Sequence, residues 1–243
     1  MDGVQIIIQL CWNLLVLTPA CLKNPVLAVL LPTSFVLVNI LSNCLTLAPG
    51  VLDAVQSPVP PTVAFFRNLP TKCYKLWAVY AITLAKSGCR SKIYIGVGTN
   101  SENGVSDRLV TYETLDDVLP KYVAKAVDDG YRVVHRGLLC WAPMPNDINR
   151  IPLRAAFLLL EGFFSLYFWA MRSRISDYGM PRFCPWTLDD FEYDGLCSHV
   201  CLYEKIQGEQ AGLTTDQMVQ LEVERAAKAR EAMRLAQGEL DGV

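Results

Sequence analysis

The stretch LWAVYAITLAKSGCRSKIYIGV, from Leu76 to Val97, decides the fold. Its first part, residues 76–84, is rich in aromatic and β-favouring residues and predicts a strand. Residues 92–97 predict a second strand, and the Lys-Ser-Gly sequence at 86–88 predicts a turn between the two. We therefore expect the two strands to pair antiparallel as a hairpin.

Regular structure is also predicted after the hairpin, beyond a glycine-containing loop at residues 98–104. We predict a short helix near 105–112, a helix over 118–128, a strand over 131–141 and a long helix from 152 to about 172. The long helix is apolar nearly all round, so we expect it to be buried. The predicted fold class is α/β in the α+β sense, a small antiparallel β-sheet flanked by helices.

Residues 1–55 form an apolar, helical extension that differs from the rest of the chain. Asp2 and Lys23 are the only charged residues in the first 50 positions. Residues 25–48 carry no charge, and this run is long enough to cross a bilayer, although Pro32 and several polar residues interrupt it. Three interpretations stay open: a membrane anchor through residues 25–48, a hydrophobic hairpin packed on the domain, or a misplaced gene start.

Composition divides the remaining chain into four parts. Residues 56–75 are interpreted as a proline-containing linker, and residues 76–174 as the compact domain. Residues 175–212 are expected to be a loop-rich extension packed on that domain. Residues 213–243 predict a C-terminal helical tail, which starts at a capping-box sequence at 214–217.

Bulk composition excludes two classes of protein. The chain is 52% hydrophobic, which excludes disorder over its whole length. With 22 Lys and Arg against 24 Asp and Glu, a strongly basic protein that coats nucleic acid is excluded as well.

Nine cysteines without a repeated spacing indicate reduced, mostly buried thiols, and an intracellular location, nuclear or cytoplasmic, is favoured. Cys184, Cys197, His199 and Cys201 lack a regular zinc-ligand spacing, so zinc is not expected.

Candidate functional residues follow the same order as the predicted elements. Tyr80 and Tyr94 occupy comparable positions on the two strands of the hairpin. Arg108 and Tyr112 are four residues apart, which puts them on one face of the predicted helix.

Glu161 is the only acidic residue between positions 148 and 176. A lone carboxylate on a buried helix is costly unless it is paired or binds a metal. The two interpretations of Glu161 are a salt bridge to Arg154 or Arg150, and a divalent cation site.

At these residues the sequence resembles the GIY-YIG nuclease family over about 76–172. Ala78-Val79-Tyr80 stands where the first tripeptide of the family lies, and Tyr94-Ile95-Gly96 is the second tripeptide intact. The segment 104–112 is similar to the one that carries the family's arginine, and 160–161 to the helix that carries its metal-binding glutamate. The downstream segment is similar to uncharacterised GIY-YIG-domain proteins of filamentous fungi. The sequence departs from the family in its first tripeptide, and it offers no clear counterpart of the asparagine that often closes the site.

The resemblance implies phosphodiester hydrolysis assisted by one Mg²⁺ or Mn²⁺ ion, and a role for each matching residue. In that scheme Tyr80 helps take the proton from the attacking water, and Tyr94 positions that water or its tyrosine partner by hydrogen bonding. Arg108 stabilises charge on the phosphate, and Tyr112 contacts the phosphate or assists proton transfer. Glu161 holds the metal. Gly96, Lys92 and Arg154 are the candidate substrate-binding residues.

Local charge indicates a polyanionic partner. Residues 67–108 carry seven basic and two acidic side chains, and residues 131–174 carry six and two. If these segments share a face, they can follow a phosphate backbone, whereas the alternative is an ordinary solvated surface. The resemblance to the nuclease family therefore implies an endonuclease that acts on nucleic acid, with DNA expected. A catalytically weak or inactive binding module on the same fold and a membrane-anchored protein are the alternatives.

Overall fold

A five-stranded sheet flanked by helices forms the centre of the computed structural model, which describes residues 3–115, 119–172 and 183–206 and five single residues of the tail (219, 220, 223, 227 and 230). The strands are β1 Thr46–Leu47, β2 Leu76–Ala85, β3 Ser91–Gly98, β4 Arg132–Pro143 and β5 Tyr193–Gly195. The helices are α1 Gly3–Leu17, α2 Val26–Leu30, α3 Ser34–Leu41, α4 Val51–Gln56, α5 Val63–Arg67, α6 Ser106–Thr114, α7 Lys121–Asp128 and α8 Arg150–Tyr167. The predicted α+β class is confirmed.

Strands β2 and β3 form the predicted antiparallel hairpin, in which Tyr80 is opposite Gly96 and Ile82 is opposite Tyr94. Because side chains alternate along a strand, this register puts Tyr80, Tyr94 and Gly96 on one face of the sheet. The strand order is β1-β4-β2-β3-β5, so β2 lies at the centre. Strand β4 pairs antiparallel with β2, and β5 pairs parallel with the first three residues of β3.

Each face of β2 is buried in a different hydrophobic cluster. Trp77, Val79 and Ala81 pack with α8 and with the N-terminal helices. Ala78, Tyr80, Ile82 and Leu84 pack with residues of α6 and α7. The alternation along one strand therefore separates a purely structural core from a second core that contains the first candidate tyrosine.

The N-terminal extension folds onto the domain. Ile7, Leu14, Leu27 and Leu37 are fully buried in the same cluster as α8, and β1 pairs with β4 at the edge of the sheet. Helix α3 begins directly after Pro32, with the Thr33 hydroxyl accepting a hydrogen bond from the backbone of Val36. This arrangement matches the hydrophobic hairpin among the three interpretations of residues 1–55.

The uncharged run 25–48 is divided between α2, α3 and the short strand β1. Proline interrupts the helical hydrogen-bond ladder, so the run that hydropathy joins together is broken in the fold. Across the described parts of the chain, every helix falls short of the length or the apolar character that a bilayer crossing requires.

Two predicted boundaries differ from the observed structure. The predicted linker 56–75 contains α5, in which Phe66 is fully buried and packs edge-on against Phe168 and Tyr193. The long helix ends at Tyr167 rather than near residue 172. The predicted capping box at 214–217 lies outside the described residues.

Burial of α1 predicts different costs for two leucines on the same helix. Leu14 is 0% exposed and Leu17 is 51% exposed. We expect Leu14→Ala in the full chain to lower the free energy of unfolding by about 2–5 kcal/mol, because it opens a cavity in the core. The matched variant Leu17→Ala should change it by less than about 1 kcal/mol. Urea unfolding followed by circular dichroism measures both, and equal small costs would contradict the packing of α1 on the domain.

Candidate functional site

The loop between β3 and α6 is held by close backbone approaches at two glycines. A Cβ at Gly98 would lie 2.6 Å from the Cα of Val105. Gly104 has a φ of +64°, and a Cβ there would lie 2.1 Å from the carbonyl oxygen of Leu76. That same carbonyl accepts a hydrogen bond from the backbone of Val105 at 2.8 Å. The start of α6 is therefore fixed against the start of β2.

Three tyrosines from β2, β3 and α6 meet on one face of the sheet. The hydroxyl oxygens of Tyr80 and Tyr112 are 3.1 Å apart. Ring centroids lie 5.8 Å apart for Tyr80 and Tyr112, 6.5 Å for Tyr80 and Tyr94, and 6.2 Å for Tyr94 and Tyr112. A Cβ at Gly96 would lie 2.6 Å from the Tyr80 hydroxyl and 2.8 Å from the Tyr94 ring, so glycine is needed where the second tripeptide passes behind these rings.

All three phenols are protonated at neutral pH. Burial is the largest cause that raises the pKa of each, and the neighbouring tyrosines raise the pKa of Tyr80 and Tyr94 further. The positive charge of Arg108 lowers the pKa of Tyr80 and Tyr112, but by less than burial raises it. The cluster is therefore suited to passing protons along hydrogen bonds rather than to acting as a standing phenolate base.

Glu161 lies within α8 and is 7% exposed. Its Oε2 atom is buried and has no hydrogen-bond partner among the described residues. Burial raises the pKa of this carboxyl, and the negative charge of Glu204 adds to that rise, whereas the Cys201 thiol and Arg108 lower it. An orphaned carboxylate oxygen inside a protein is costly.

Within the described parts of the chain, Glu161 does not form the salt bridge considered as its structural explanation. Arg150 pairs with Asp147. Arg154 donates from Nη2 to the carbonyl of Thr99 at 2.9 Å, and its guanidinium lies 5.3 Å from the Trp77 ring. Both arginines are thus engaged away from the buried carboxylate.

A cleft of about 380 Å³ is lined by Arg108 and Arg154, whereas neither Glu161 nor any of the three tyrosines lines it. Its charged lining residues, three basic and two acidic, are Arg108, Arg154, Lys205, Asp107 and Glu204. Lys92 does not line this cleft, and its Nζ atom lies 4.9 Å from the centroid of the Tyr131 ring. Of the predicted substrate-binding residues, Arg154 therefore faces the cleft and Gly96 backs the tyrosines, while Lys92 is engaged elsewhere.

Sequence reasoning missed three charged residues that line the cleft, Asp107, Lys205 and Glu204, and of these Glu204 also acts on the buried groups. It belongs to the segment that follows β5, where residues 175–212 were expected only to be loop-rich. Its charge acts on Glu161 and on Tyr94, and its Oε1 is 2.8 Å from Nε2 of His199. The only signal in the sequence was an acidic residue close to the Cys-Ser-His-Val-Cys sequence at 197–201.

The cysteines considered for zinc make hydrogen bonds to backbone carbonyls. Cys184 donates to Trp186, Cys197 to Ile95 and Cys201 to Leu158. Among the described residues, no three His, Cys, Asp or Glu side chains converge as a group of metal ligands.

Comparison of the chain with protein-family models, with curated proteins and with solved structures finds no match.

The close approach at Gly104 predicts a large cost for a single methyl group. Gly88, in the hairpin turn, has a similar φ of +72°, but a Cβ there would have no described neighbour within 4 Å. Gly88→Ala should lower the free energy of unfolding by about 1–2 kcal/mol through backbone strain alone. Gly104→Ala adds a backbone clash and should cost more than about 3 kcal/mol. Chemical denaturation compares the two variants, and equal costs would show that the loop is not fixed by this contact.

Proposed function

We propose that the chain is a divalent-metal-dependent nuclease that hydrolyses phosphodiester bonds in nucleic acid through a GIY-YIG-like site. The observations that carry the proposal are the contact between the buried Tyr80 and Tyr112 and the half-buried Tyr94, and a buried carboxylate, Glu161, whose charge acts on Tyr80 and Tyr94. The charge of Arg108 acts on Tyr80, Tyr112 and Glu161. Phosphodiester hydrolysis needs these groups: a cation for the phosphate, hydroxyls for the proton and a carboxylate for a metal.

Arg108 is the candidate for holding the phosphate. Its side chain is exposed and lines the cleft, yet its charge acts on Tyr80, Tyr112 and Glu161. A guanidinium at this position would make charge-assisted hydrogen bonds to phosphate oxygens and stabilise the charge that develops on them.

The hydroxyl pair of Tyr80 and Tyr112 is the candidate proton pathway. Because both phenols are protonated in the resting site, Tyr80 would accept a proton from the attacking water as it gives its own proton to Tyr112, and Tyr112 would give its own proton to a phosphate oxygen. The 3.1 Å separation of the two oxygens is within hydrogen-bond range for this transfer. Tyr94 would orient the water or Tyr80 from the neighbouring strand.

Glu161 fits the role of a metal ligand. Hard cations such as Mg²⁺ and Mn²⁺ prefer carboxylate oxygens, water and phosphate oxygens, and the Oε2 atom of Glu161 has no partner in the part of the chain that the structure describes. A bound cation would polarise the phosphate and stabilise the leaving oxygen. Without a cation the carboxyl is expected to carry a proton, because burial raises its pKa and neither nearby arginine pairs with it.

A nucleic acid, with DNA expected, fits the charges around the cleft. Its lining contains more basic than acidic side chains, and the two basic segments of the sequence contribute Arg108 and Arg154 to it. Regularly spaced phosphates are the partner that such a surface binds by counterion release.

A binding module without turnover is the second candidate. Burial raises the pKa of Tyr80, so very little of its phenolate form is present at neutral pH to act as a base. In addition, the first tripeptide has Ala78 and Val79 in place of the family's glycine and isoleucine. Such a protein would bind nucleic acid through Arg108 and Arg154 and leave the phosphodiester intact. No contact in the described site supports the other alternative, a membrane-anchored protein.

We expect the full chain to cut nucleic acid in Mg²⁺ or Mn²⁺ and to be inactive in EDTA. Supercoiled plasmid, single-stranded DNA, branched DNA and duplex RNA, resolved on gels, identify the substrate class. Glu161→Gln keeps the size of the side chain and removes its charge, so it should lower the cleavage rate by about 100-fold or more. Tyr80→Phe removes one hydroxyl and should lower it by about 100-fold.

Glu102→Gln is the matched control, because this exposed side chain lies outside the cleft. It should cut at the rate of the unchanged protein. Cleavage that survives both Glu161→Gln and Tyr80→Phe would contradict the assigned site. Metal-independent affinity for DNA without cleavage in any metal would favour the binding module.

A further inference from the structure

Lys92, the predicted substrate-binding residue that does not line the cleft, lies at the hairpin end of β3. It is two positions before Tyr94 on the same strand, so the two side chains lie on the same face of the sheet. Lys92 Nζ lies 4.9 Å and Lys86 Nζ 5.9 Å from the centroid of the Tyr131 ring. Tyr131 packs against the hydrophobic cluster that contains the candidate tyrosines of β2 and α6. Two ammonium groups are therefore held over one ring, on the side of the sheet that carries these tyrosines.

Arg172 is held in the same way beside the middle of β3. Its guanidinium lies 3.8 Å from the centroid of the Tyr122 ring, and Tyr122 packs against the same hydrophobic cluster. The backbone of Arg172 donates to the carbonyl of Cys197 at 2.8 Å, and the Cys197 thiol donates to the carbonyl of Ile95 at 3.3 Å. Arg172 is remote in sequence, yet these contacts fix it next to the strand that carries Tyr94.

Lys92 and Arg172, with the tyrosine rings that hold them, form what we call the basic strip. Neither cation forms an ion pair within the described parts of the chain. Among the acidic residues nearby, Asp194 pairs with Arg90 at 3.2 Å, and Asp129 offers its backbone carbonyl to the other lysine on the ring at 2.6 Å. A contact with an aromatic ring positions a cation but, unlike an ion pair, leaves its charge available to an anion.

The basic strip leads along β3 towards the cleft. Lys92 is near the start of this strand, and Val97, five residues further along, lines the cleft. At about 3.3 Å per residue the two positions are about 17 Å apart, and Arg172 is fixed between them through its link to Ile95. Arg108, the candidate phosphate ligand, lines the same cleft. The order of the cations along the strand is therefore Lys92, Arg172 and Arg108.

We propose that the basic strip binds the phosphodiester backbone of the nucleic acid beyond the cleft, with Lys92 and Arg172 each contacting a phosphate. A polymer with a regularly repeated negative charge can meet cations spread along a strand, whereas a small anion can meet only one of them. Contacts of this kind position a nucleic acid and do not read its sequence.

This inference rests on the proposed function, because the basic strip extends the surface that would hold the same substrate. It goes further by assigning the residues that hold the substrate away from the cleft. A purely structural role of the cation–ring contacts is the competing explanation, and it predicts that neither cation contributes to binding.

Fluorescence anisotropy of the full chain tests the basic strip without any need for cleavage. The probes are labelled single-stranded DNA, duplex DNA and duplex RNA of about 20 nucleotides, which exceed the strip at about 3.4 Å per step, and EDTA is present throughout. Lys92→Gln and Arg172→Gln should each raise the Kd at least about 3-fold and lower the slope of log Kd against log salt by about 1. The double variant should show the product of the two losses, because the two sites are about 10 Å apart.

Lys72→Gln is the matched control, since it removes the same charge from an exposed position elsewhere. Its neighbours Thr71 and Cys73 line a separate groove beside β4, so this variant should bind as the unchanged protein does. Thermal unfolding controls for the fold. Each variant of the basic strip should melt within about 4 °C of the unchanged protein, because a cation–ring contact near the surface is weak. Weakened binding by folded variants, with an unaffected control, supports the assignment.

An unchanged Kd and salt slope in the double variant would overturn the assignment, as would no binding of any probe by the unchanged protein. Tighter binding of a labelled polyglutamate than of every nucleic acid would overturn it in favour of an acidic protein partner. The cleavage assay separates the two proposals. Binding that depends on Lys92 and Arg172 without cleavage of any substrate would contradict the nuclease alone, whereas Glu161-dependent cleavage with unaltered affinity in the double variant would contradict the basic strip alone.

Discussion

The burial of β2 on both faces is the constraint on which the rest of the fold depends. Residues 77–84 are all buried, so their backbone N–H and C=O groups have no water to bond with and need partners on both sides. Leaving one such group unpaired costs about 1–3 kcal/mol. Strands β3 and β4 supply the partners, and helices must then cover both faces of the centre. The hairpin, the remote strand β4 and the two hydrophobic clusters all follow from this one strand.

The same requirement creates the site. A strand that is buried on both faces has to direct alternate side chains into two different cores, and on one face this gives Tyr80 next to Tyr112. Phenols in such a core need a hydrogen bond for their hydroxyls, which these two give each other. On α8, by contrast, Glu161 departs, within the described residues, from the rule that buried polar groups are satisfied. Local rules are broken most often where function requires it, and this contrast between a satisfied tyrosine pair and an unsatisfied carboxylate supports a role for Glu161 beyond packing.

Local signals in the sequence predict the hairpin, α6, β4 and α8 to within a few residues, because strand alternation and helical periodicity are short-range properties. They also put Tyr80 and Tyr94 on comparable strands. Hydropathy did not separate a membrane anchor from core helices, since the uncharged run 25–48 is continuous in the sequence but divided between α2, α3 and β1 in the fold. Strand β5 and Glu204 were missed for another reason. They reach the site through contacts such as those of Cys197 and Cys201, which join residues that are far apart in the sequence and leave no periodic pattern.

The charges of Glu161 and Glu204 also act on the tyrosines. Glu161 raises the pKa of both Tyr80 and Tyr94, and Glu204 raises that of Tyr94. Neutralising these charges would remove part of what holds the phenols in their protonated form, while burial would remain. Arg108 lowers the pKa of Tyr80 and of Glu161 together, so it acts in the same direction as a cation would. The acid–base behaviour of the tyrosines is therefore set first by burial and then by charges on α6, α8 and the segment after β5, each of which acts on one or two of the three phenols.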